Sequence, residues 1–225
     1  MQADFNRPVL AVDTGTSYLS LALRADGETH LFHQEAGSRQ SELILPEIRT
    51  LFRNAGITAA DLGAIVYAKG PGAFTGLRIG IGVAQGLATP FNTSLIGIPT
   101  LDAAASMPPP QSCILAAADA RMGEVFYAWF DTLNRRRLSD YQVGRAADIA
   151  IPEGHVFSDG IGNAFALENR PPFAGKPDMP TAADFLNLAA EGGFPAVAAA
   201  HAELLYVRDK IALTAKEQAE RRARP

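Results

Sequence analysis

The chain has 225 residues, 48% of them hydrophobic, which is enough for one large domain or two small ones with a real core. Its formal net charge of −4 excludes a globally basic surface for nucleic acid, so any RNA contact would be local or made through a partner. The single cysteine, Cys113, excludes an intrachain disulfide, and no apolar run reaches the roughly 18 residues of a membrane span, so we expect a cytoplasmic protein without membrane contact.

The first half of the chain alternates short apolar runs with polar turns. Apolar residues at every second position predict strands, and apolar residues at 3-4 spacing predict helices. A polar turn of sequence DTGTS, residues 13–17, separates the first two strands. Pro46 lies within the first helical pattern, where it either kinks the helix or marks its first turn. The predicted elements are strands over 9–12, 18–23 and 29–34, a helix over 41–55, a strand over 64–68, a helix that ends near 89–90 and a strand over 94–98.

The pattern restarts after residues 106–112, a linker with three consecutive prolines. A strand over 113–118 reaches Asp119 as the first strand reaches Asp13, 106 residues earlier. We therefore predict a duplicated α/β unit, with chance similarity of the strand–turn–strand patterns as the alternative. The predicted N-terminal lobe, which binds a partner, spans residues 1–106 and the C-terminal lobe spans 107–225, of which 208–225 pack back on the first lobe or fray. The remaining predicted elements are strands over 125–130 and 156–160, a helix over 181–190 and a last strand over 204–207.

A glycine-rich loop and helix, residues 69–88, are the most unusual stretch of the chain. Gly80, Ala84 and Ala88 lie one helical step apart and form a flat stripe, which predicts that another helix comes close. We expect the helix over 41–55 to lie beside it, so that the two present one apolar face to a partner. The predicted partner-interface residues are Leu43, Leu45, Arg49, Arg78, Ile81, Gly82, Gln85 and Gly86.

Two halves that each open with strand, Asp, turn and strand have the layout of the two-lobed, duplicated ribonuclease-H-like fold of actin, Hsp70 and sugar kinases (ASKHA). In that superfamily ATP lies between the lobes and both turns bind phosphates. The turn after the first strand is either a degenerate phosphate turn, with Asp13, Gly15 and Thr16 as weak candidate cofactor-binding residues, or an ordinary hairpin turn. In the second turn Arg121 stands where a glycine would admit a phosphate, so the nucleotide cleft is predicted to be degraded.

Other catalytic chemistry has little support in the residues. The four histidines are scattered and form no metal-binding pair, and the glycine loop lacks the Lys and Ser/Thr of a P-loop. No residue is nominated as a nucleophile or general base, so we predict no metal site, no catalytic residue and a binding role. An ATP-dependent phosphotransferase of the sugar-kinase type is the alternative.

Four stretches carry a family resemblance: VLAVDTGTSYLSLAL, YAKGPGAFTGLRIGIGVAQGLA, IGIPTLDA and AADARMGEVFYAWF. Together they resemble the TsaB (YeaZ) family of tRNA threonylcarbamoyladenosine biosynthesis proteins. The resemblance implies a non-catalytic subunit that pairs through its N-terminal lobe with the catalytic paralogue TsaD and is joined by the ATPase TsaE. It also implies a homodimer through the same surface when the chain is alone.

The resemblance further implies that the complex modifies the adenosine beside the tRNA anticodon, and that this chain meets tRNA only through the complex. TsaD carries a histidine pair for its metal on its first helix, whereas the corresponding residues 39–43 here, RQSEL, have none. We expect no required cofactor, with ATP or ADP possible at the interface of the complex. The arginines at 135–137 form either a solvated turn or one local phosphate contact.

Overall fold

A computed structural model describes residues 1–207 of the protein. Within this range the chain forms two sheets and four α-helices. The strands are β1 (Val9–Asp13), β2 (Tyr18–Ala25), β3 (Glu28–Glu35), β4 (Ala64–Gly70), β5 (Ser94–Pro99), β6 (Ile114–Arg121), β7 (Glu124–Asp131), β8 (Arg136–Arg137), β9 (Gln142–Gly144), β10 (Asp159–Ile161) and β11 (Ala196–Val197). The helices are α1 (Gln40–Asn54), α2 (Phe74–Ala88), α3 (Thr100–Ala105) and α4 (Ala182–Glu191).

The first sheet is organised around β1, in the order β11-β5-β4-β1-β2-β3. β1 pairs antiparallel with β2, from Val9 opposite Arg24 to Asp13 opposite Ser20, and parallel with β4 on its other side. β4 in turn pairs parallel with β5. All five residues of β1 are buried, because helices cover both faces of the sheet.

Successive residues of β1 face two different apolar cores. Leu10 and Val12 belong to the core beneath α1 and α2, whereas Val9 and Ala11 belong to the core that α4 completes with Phe185. Burying one such aliphatic side chain contributes about 1.5–3 kcal/mol, so the sheet is stabilised from both sides. This double burial explains why β1 is apolar throughout instead of alternating with polar residues.

The second sheet repeats the centre of the first. β6 pairs antiparallel with β7 and parallel with β10, as β1 pairs with β2 and β4. β8 and β9 both pair with β7, where the first sheet has the single strand β3. A short 3-10 turn at Ala146–Asp148 lies between β9 and β10, where the first half has the long helix α1. The repeated order confirms the predicted duplicated ribonuclease-H-like fold, with a reduced second half.

After the second sheet the chain returns to the first. α4 packs across β1 and β2, and the Ala182 N–H donates to Ser20 Oγ at 2.8 Å. β11 then pairs antiparallel with β5 at the edge of the first sheet. The predicted division into lobes at residue 106 stays a prediction. The strands β6 to β10 form the second sheet, whereas the later elements α4 and β11 contact the first sheet. Residues 208–225, predicted to pack back or fray, lie outside the described residues.

Two predictions about individual elements need correction. The predicted strand over 204–207 is wrong, because this segment is extended but pairs with no strand; its Leu205 N–H donates to the Lys69 carbonyl at 2.8 Å. The helix α3 was not predicted at all. Pro46 lies inside α1, which begins six residues earlier at Gln40, so Pro46 does not mark the first turn.

The small-residue stripe of α2 faces the sheet, and the prediction that it admits another helix is wrong. A Cβ added at Gly76 would lie 2.0 Å from the Thr14 carbonyl oxygen, and one added at Gly80 would lie 2.4 Å from Thr14 Oγ1. Thr14 Oγ1 donates to the Gly76 carbonyl at 2.7 Å. The glycines therefore let α2 approach the end of β1, while α1 lies beside α2 over the same core, as predicted.

We predict that Gly76→Ala lowers the free energy of unfolding by about 2–3 kcal/mol, because its methyl group meets the Thr14 backbone. Gly82→Ala is the control in the same helix. No atom lies within 4 Å of a Cβ at Gly82, so this variant should gain about 0.5–1 kcal/mol from helix propensity. Urea unfolding measures both. Equal effects of the two substitutions would contradict the close approach of α2 to Thr14.

Candidate functional site

The turn after β1 is held by hydrogen bonds within the protein. Asp13 is buried, and its Oδ1 accepts the Gly15 N–H at 2.8 Å. The Thr16 hydroxyl oxygen accepts the Tyr18 N–H at 3.1 Å, and the hydroxyl of Thr14 is bonded to α2. Of the predicted phosphate-binding groups, the Gly15 amide thus already has a partner, and the Thr16 hydroxyl oxygen already accepts one hydrogen bond. This geometry is that of an Asx turn, which stabilises the tight connection to β2.

Asp13 is an acid in an unfavourable environment for its charge. Burial raises its pKa from 3.8 to about 6, and the hydrogen bond from Gly15 opposes that rise. The Thr100 hydroxyl is buried beside the same turn, 3.9 Å from where a Cβ on Gly15 would stand, and has no hydrogen-bond partner among the residues 1–207. The floor of the turn is therefore poorly solvated.

The second turn repeats the hydrogen bond of the first, but Arg121 stands at the position that Gly15 has in the first turn. Asp119 Oδ1 accepts the Arg121 N–H at 2.7 Å, as Asp13 accepts that of Gly15. Arg121 and Met122 have φ values of 65° and 55°, and the Arg121 guanidinium lies 3.2 Å from Asp119 Oδ2. Arg121 is therefore paired with the acid of its own turn, and its side chain is mostly exposed.

Between the two turns lies a cleft of about 660 Å³. Its walls come from both sheets: the β1–β2 turn and the loop before α2 on one side, and the β6 end with Asp119 and Arg121 on the other. Tyr18 and His33 stack at 4.7 Å between ring centroids on one wall. Residues Leu205, Tyr206 and Val207 also line the cleft.

The glycine loop before α2 packs on the first turn. The Ala73 N–H donates to the Gly15 carbonyl at 2.7 Å, and a Cβ at Gly72 would lie 2.6 Å from that same oxygen. The peptide bond between Gly70 and Pro71 is cis. The loop therefore serves close packing, in agreement with the absence of a P-loop pattern.

The outward face of α1 and α2 exposes apolar and small residues. Leu45 is 51% exposed, and Gly82 and Gly86 are exposed with no atom within 4 Å of an added Cβ. Arg49 and Arg78 are also exposed on these helices. We call the surface formed by these five residues the outer helix face.

The other three predicted interface residues are engaged within the chain. Leu43 and Ile81 are half-buried against the core between the helices and the sheet. The Gln85 amide donates to the Ala199 carbonyl at 2.9 Å. Arg78, although exposed, lies over the Phe74 ring at 3.6 Å.

Sequence reasoning missed Gln40, the first residue of α1. Its buried side-chain amide donates to the carbonyls of Thr16 and Tyr18, at 2.9 and 2.8 Å, and so holds the β1–β2 turn against the helix. A polar residue at the start of a helix was a visible signal, but its partners on a distant turn were not.

A second missed contact joins α3 to the segment between β8 and β9. The Tyr141 hydroxyl donates to Asp102 Oδ2 at 2.5 Å, and Arg137 lies over the Tyr141 ring at 4.0 Å. Burial raises the pKa of Asp102 to about 6, against the lowering effects of Tyr141 and Arg137. Asp102 lies in the stretch IGIPTLDA, but nothing in the sequence links it to Tyr141, so only the fold reveals the pair.

The arginines at 135–137 each have an acidic partner. Arg135 pairs with Glu191 at 3.1 Å, Arg136 with Asp131 at 3.0 Å, and Arg137 with Asp140 at 3.9 Å. In the described part of the chain, His, Cys, Asp and Glu do not gather in groups of three or more that could hold a metal ion. Among residues 1–207 no helix has the length and apolarity needed to cross a membrane.

Comparisons with known proteins identify similar chains. The model of a family described as "TsaD: tRNA N6-adenosine threonylcarbamoyltransferase" matches residues 33–176. The tRNA threonylcarbamoyladenosine biosynthesis protein TsaB of Escherichia coli K12 is 40% identical over 123 residues, which are 53% of each chain. Its namesake from Haemophilus influenzae Rd is 36% identical over 126 residues, 55% of this chain and 53% of the relative.

A solved structure extends the similarity over most of the molecule. YeaZ from Pseudomonas aeruginosa superposes with a TM-score of 0.78 at 30% identity, covering 89% of this chain and 99% of that one. The matched stretch of this chain spans about half the length of the curated relatives.

We predict that Asp13→Asn stabilises the protein more at high pH than at low pH. Because the folded state raises the Asp13 pKa from 3.8 to about 6, wild-type stability falls as pH rises through this window. Relative to wild type, the variant should therefore gain about 2 kcal/mol more at pH 8 than at pH 4 in urea unfolding. Asp61→Asn should show the opposite trend, because hydrogen bonds from Thr58 lower the Asp61 pKa. A pH-independent difference between Asp13→Asn and wild type would contradict the raised pKa.

Proposed function

Because the chain belongs to the TsaD family of tRNA N6-adenosine threonylcarbamoyltransferases, in its TsaB (YeaZ) branch, we propose that it is a non-catalytic subunit in tRNA threonylcarbamoyladenosine biosynthesis. In this proposal it supports a catalytic TsaD paralogue through the outer helix face. The ATPase TsaE joins the pair, and a second copy of the chain occupies the same face when TsaD is absent.

The observation that carries the proposal is the pair of exposed glycines in α2. A glycine inside a helix costs about 0.5–1 kcal/mol relative to alanine. At Gly76 and Gly80 this cost is offset by close packing on Thr14, but Gly82 and Gly86 have no neighbour that a Cβ would meet. Close approach of a partner backbone to the outer helix face would explain why glycine stands at these two positions, because contacts within the chain do not explain it.

The chemistry of the outer helix face also suits a protein partner. Leu45 exposes about half of its apolar side chain there, and Arg49 and Arg78 add positive charge. Apolar contact rimmed by arginine is common at protein interfaces. The family model that matches this chain describes the transferase itself, so the proposed pairing is between two chains of related fold.

The residues that line the cleft favour the role of a non-catalytic subunit. In the second turn Asp119 forms an ion pair with Arg121, and the first turn is bonded to the glycine loop through the Gly15 carbonyl. Gln40, at the start of the first helix, uses its amide to hold the β1–β2 turn. In this proposal the chain requires no cofactor of its own, and ATP or ADP binds only at the interface of the complex.

The charge distribution supports contact with tRNA through the complex. The net charge is −4, and the arginines at 135–137 all pair with acidic side chains. The positive charges of these arginines are thus paired with carboxylates of the same chain. The alternative is a sugar-kinase-like phosphotransferase, which would require Arg121 to move away from Asp119. If the isolated chain turned over ATP and the Asp13→Ala variant did not, that result would support the alternative.

We predict that Gly82→Asp weakens association with the TsaD paralogue of the same organism by about tenfold or more. The carboxylate would occupy the space reserved for the partner and would have to be desolvated at the interface. Titration calorimetry measures the affinity. In a reconstituted reaction with TsaE and tRNA, modified adenosine should fall with association and recover when more of the variant is added.

Gly144→Asp is the matched control for Gly82→Asp. Gly144 lies on β9 of the second sheet, and a Cβ there also meets no atom within 4 Å. This variant should bind TsaD as the wild type does. The proposal fails if wild-type chain and TsaD do not associate at micromolar concentration, or if Gly82→Asp binds with wild-type affinity.

A further inference from the structure

The last described segment, residues 199–207, runs beside α2 and β4 toward the cleft. At one end Gln85 of α2 donates to the Ala199 carbonyl at 2.9 Å. At the other end the Tyr206 ring packs on Phe74, the first residue of α2, with ring centroids 5.9 Å apart. The segment therefore follows α2 from its second half back to its beginning.

The middle of this segment is bonded to the end of β4. The Tyr67 hydroxyl donates to the Glu203 carbonyl at 3.0 Å and accepts the Glu203 N–H at 3.2 Å. The Glu203 carboxylate lies 3.1 Å from the Lys69 ammonium, and the Leu205 N–H donates to the Lys69 carbonyl at 2.8 Å. A Cβ at Gly70 would stand 3.0 Å from the Leu205 carbonyl oxygen, so glycine lets the segment lie close.

The two ends of residues 203–207 contact different halves of the molecule. Leu204 packs against both cores of the first sheet, whereas Val207 packs against the core of the second sheet. Between them Leu205 and Tyr206 line the cleft, together with Val207. The segment thus crosses from one sheet to the other at the wall of the cleft.

We propose that residues 203–207 form a strap that closes the cleft between the two sheets, and that release of this strap lets the sheets separate. Two other contacts, Tyr141 with Asp102 and Arg135 with Glu191, also join the halves and do not involve the strap. Release therefore opens the cleft without dividing the molecule. This proposal is independent of the proposed function, since it concerns only contacts within the chain.

Tyr67→Phe in the full chain tests the strap. It removes the hydroxyl that bonds both backbone groups of Glu203 but keeps the ring in its core. Hydrogen exchange of the Leu205 amide should accelerate about tenfold, while exchange in the second sheet stays unchanged. Tyr127→Phe is the matched control, because its hydroxyl bonds only to Gln142 among the described contacts and lies away from the strap.

The distance between the sheets is measured on the same variants. Spin labels at Glu28→Cys and Glu153→Cys report it by electron paramagnetic resonance, and Cys113 is buried and does not interfere. The distribution should broaden toward longer distances in Tyr67→Phe and stay as in wild type in Tyr127→Phe. If Tyr67→Phe fails to fold, Leu205→Pro removes the bond to Lys69 instead.

Two results would overturn the proposal. In the first, the Leu205 amide already exchanges in the wild type as fast as an unprotected amide, so that no strap is held. In the second, the strap is released but the distance distribution is unchanged, so that the strap does not control the cleft. Faster exchange at Leu205 together with wider distances supports it.

Discussion

The rest of the structure depends on the approach of α2 to the carboxyl end of β1. Two glycines bring the helix so near to Thr14 that its hydroxyl reaches the Gly76 carbonyl. The same contact brings the loop before α2 onto Gly15, and Gln40 of α1 fastens the turn from the other side. The β1–β2 turn is therefore enclosed by backbone on several sides. The shape of the turn is therefore set by contacts within the protein, while its outer residues line one wall of the cleft.

The helix α2 has glycines on two sides, one that packs against the first sheet and one that is exposed. On the side toward the sheet, a methyl group at Gly76 or Gly80 would collide with Thr14. On the side toward solvent, a methyl group at Gly82 or Gly86 would meet no atom within 4 Å. Helices in a folded protein usually expose polar residues, because propensity and solvation favour them there. The contrast between the two faces of α2 is the physical basis for treating the outer helix face as an interface.

The sequence could predict those parts of the fold that depend on local patterns. Apolar periodicity located β1 to β7, α1, α2 and α4, and the repeat of Asp13 at Asp119 indicated the duplication. The partner of a small-residue stripe was not predictable, because a strand and a helix both accept glycine at close range. The contact of Tyr141 with Asp102 joins residues of unrelated segments, so no pattern announced it.

The candidate site divides in the same way. Arg121 could be identified as the residue that replaces a glycine in the second turn, since its position follows directly from the repeat. The hydrogen bonds of residues 203–207 could not be, because an extended segment held by one side-chain hydroxyl and one backbone carbonyl has no period. Its apolar residues suggested a strand, but they pack on three cores and pair in no ladder.

The return of α4 to the first sheet has a consequence for the order in which the protein is made. Val9 and Ala11 are synthesised long before Phe185, the side chain of α4 that packs in the same core. Until then the core on that face of the first sheet lacks the side chains of α4, although the strands of the second sheet, which precede α4 in the chain, have already been synthesised. Closing contacts of such high sequence separation slows folding. The nascent first half therefore lacks part of one apolar core until α4 has been synthesised, and exposed apolar surface of this kind favours aggregation.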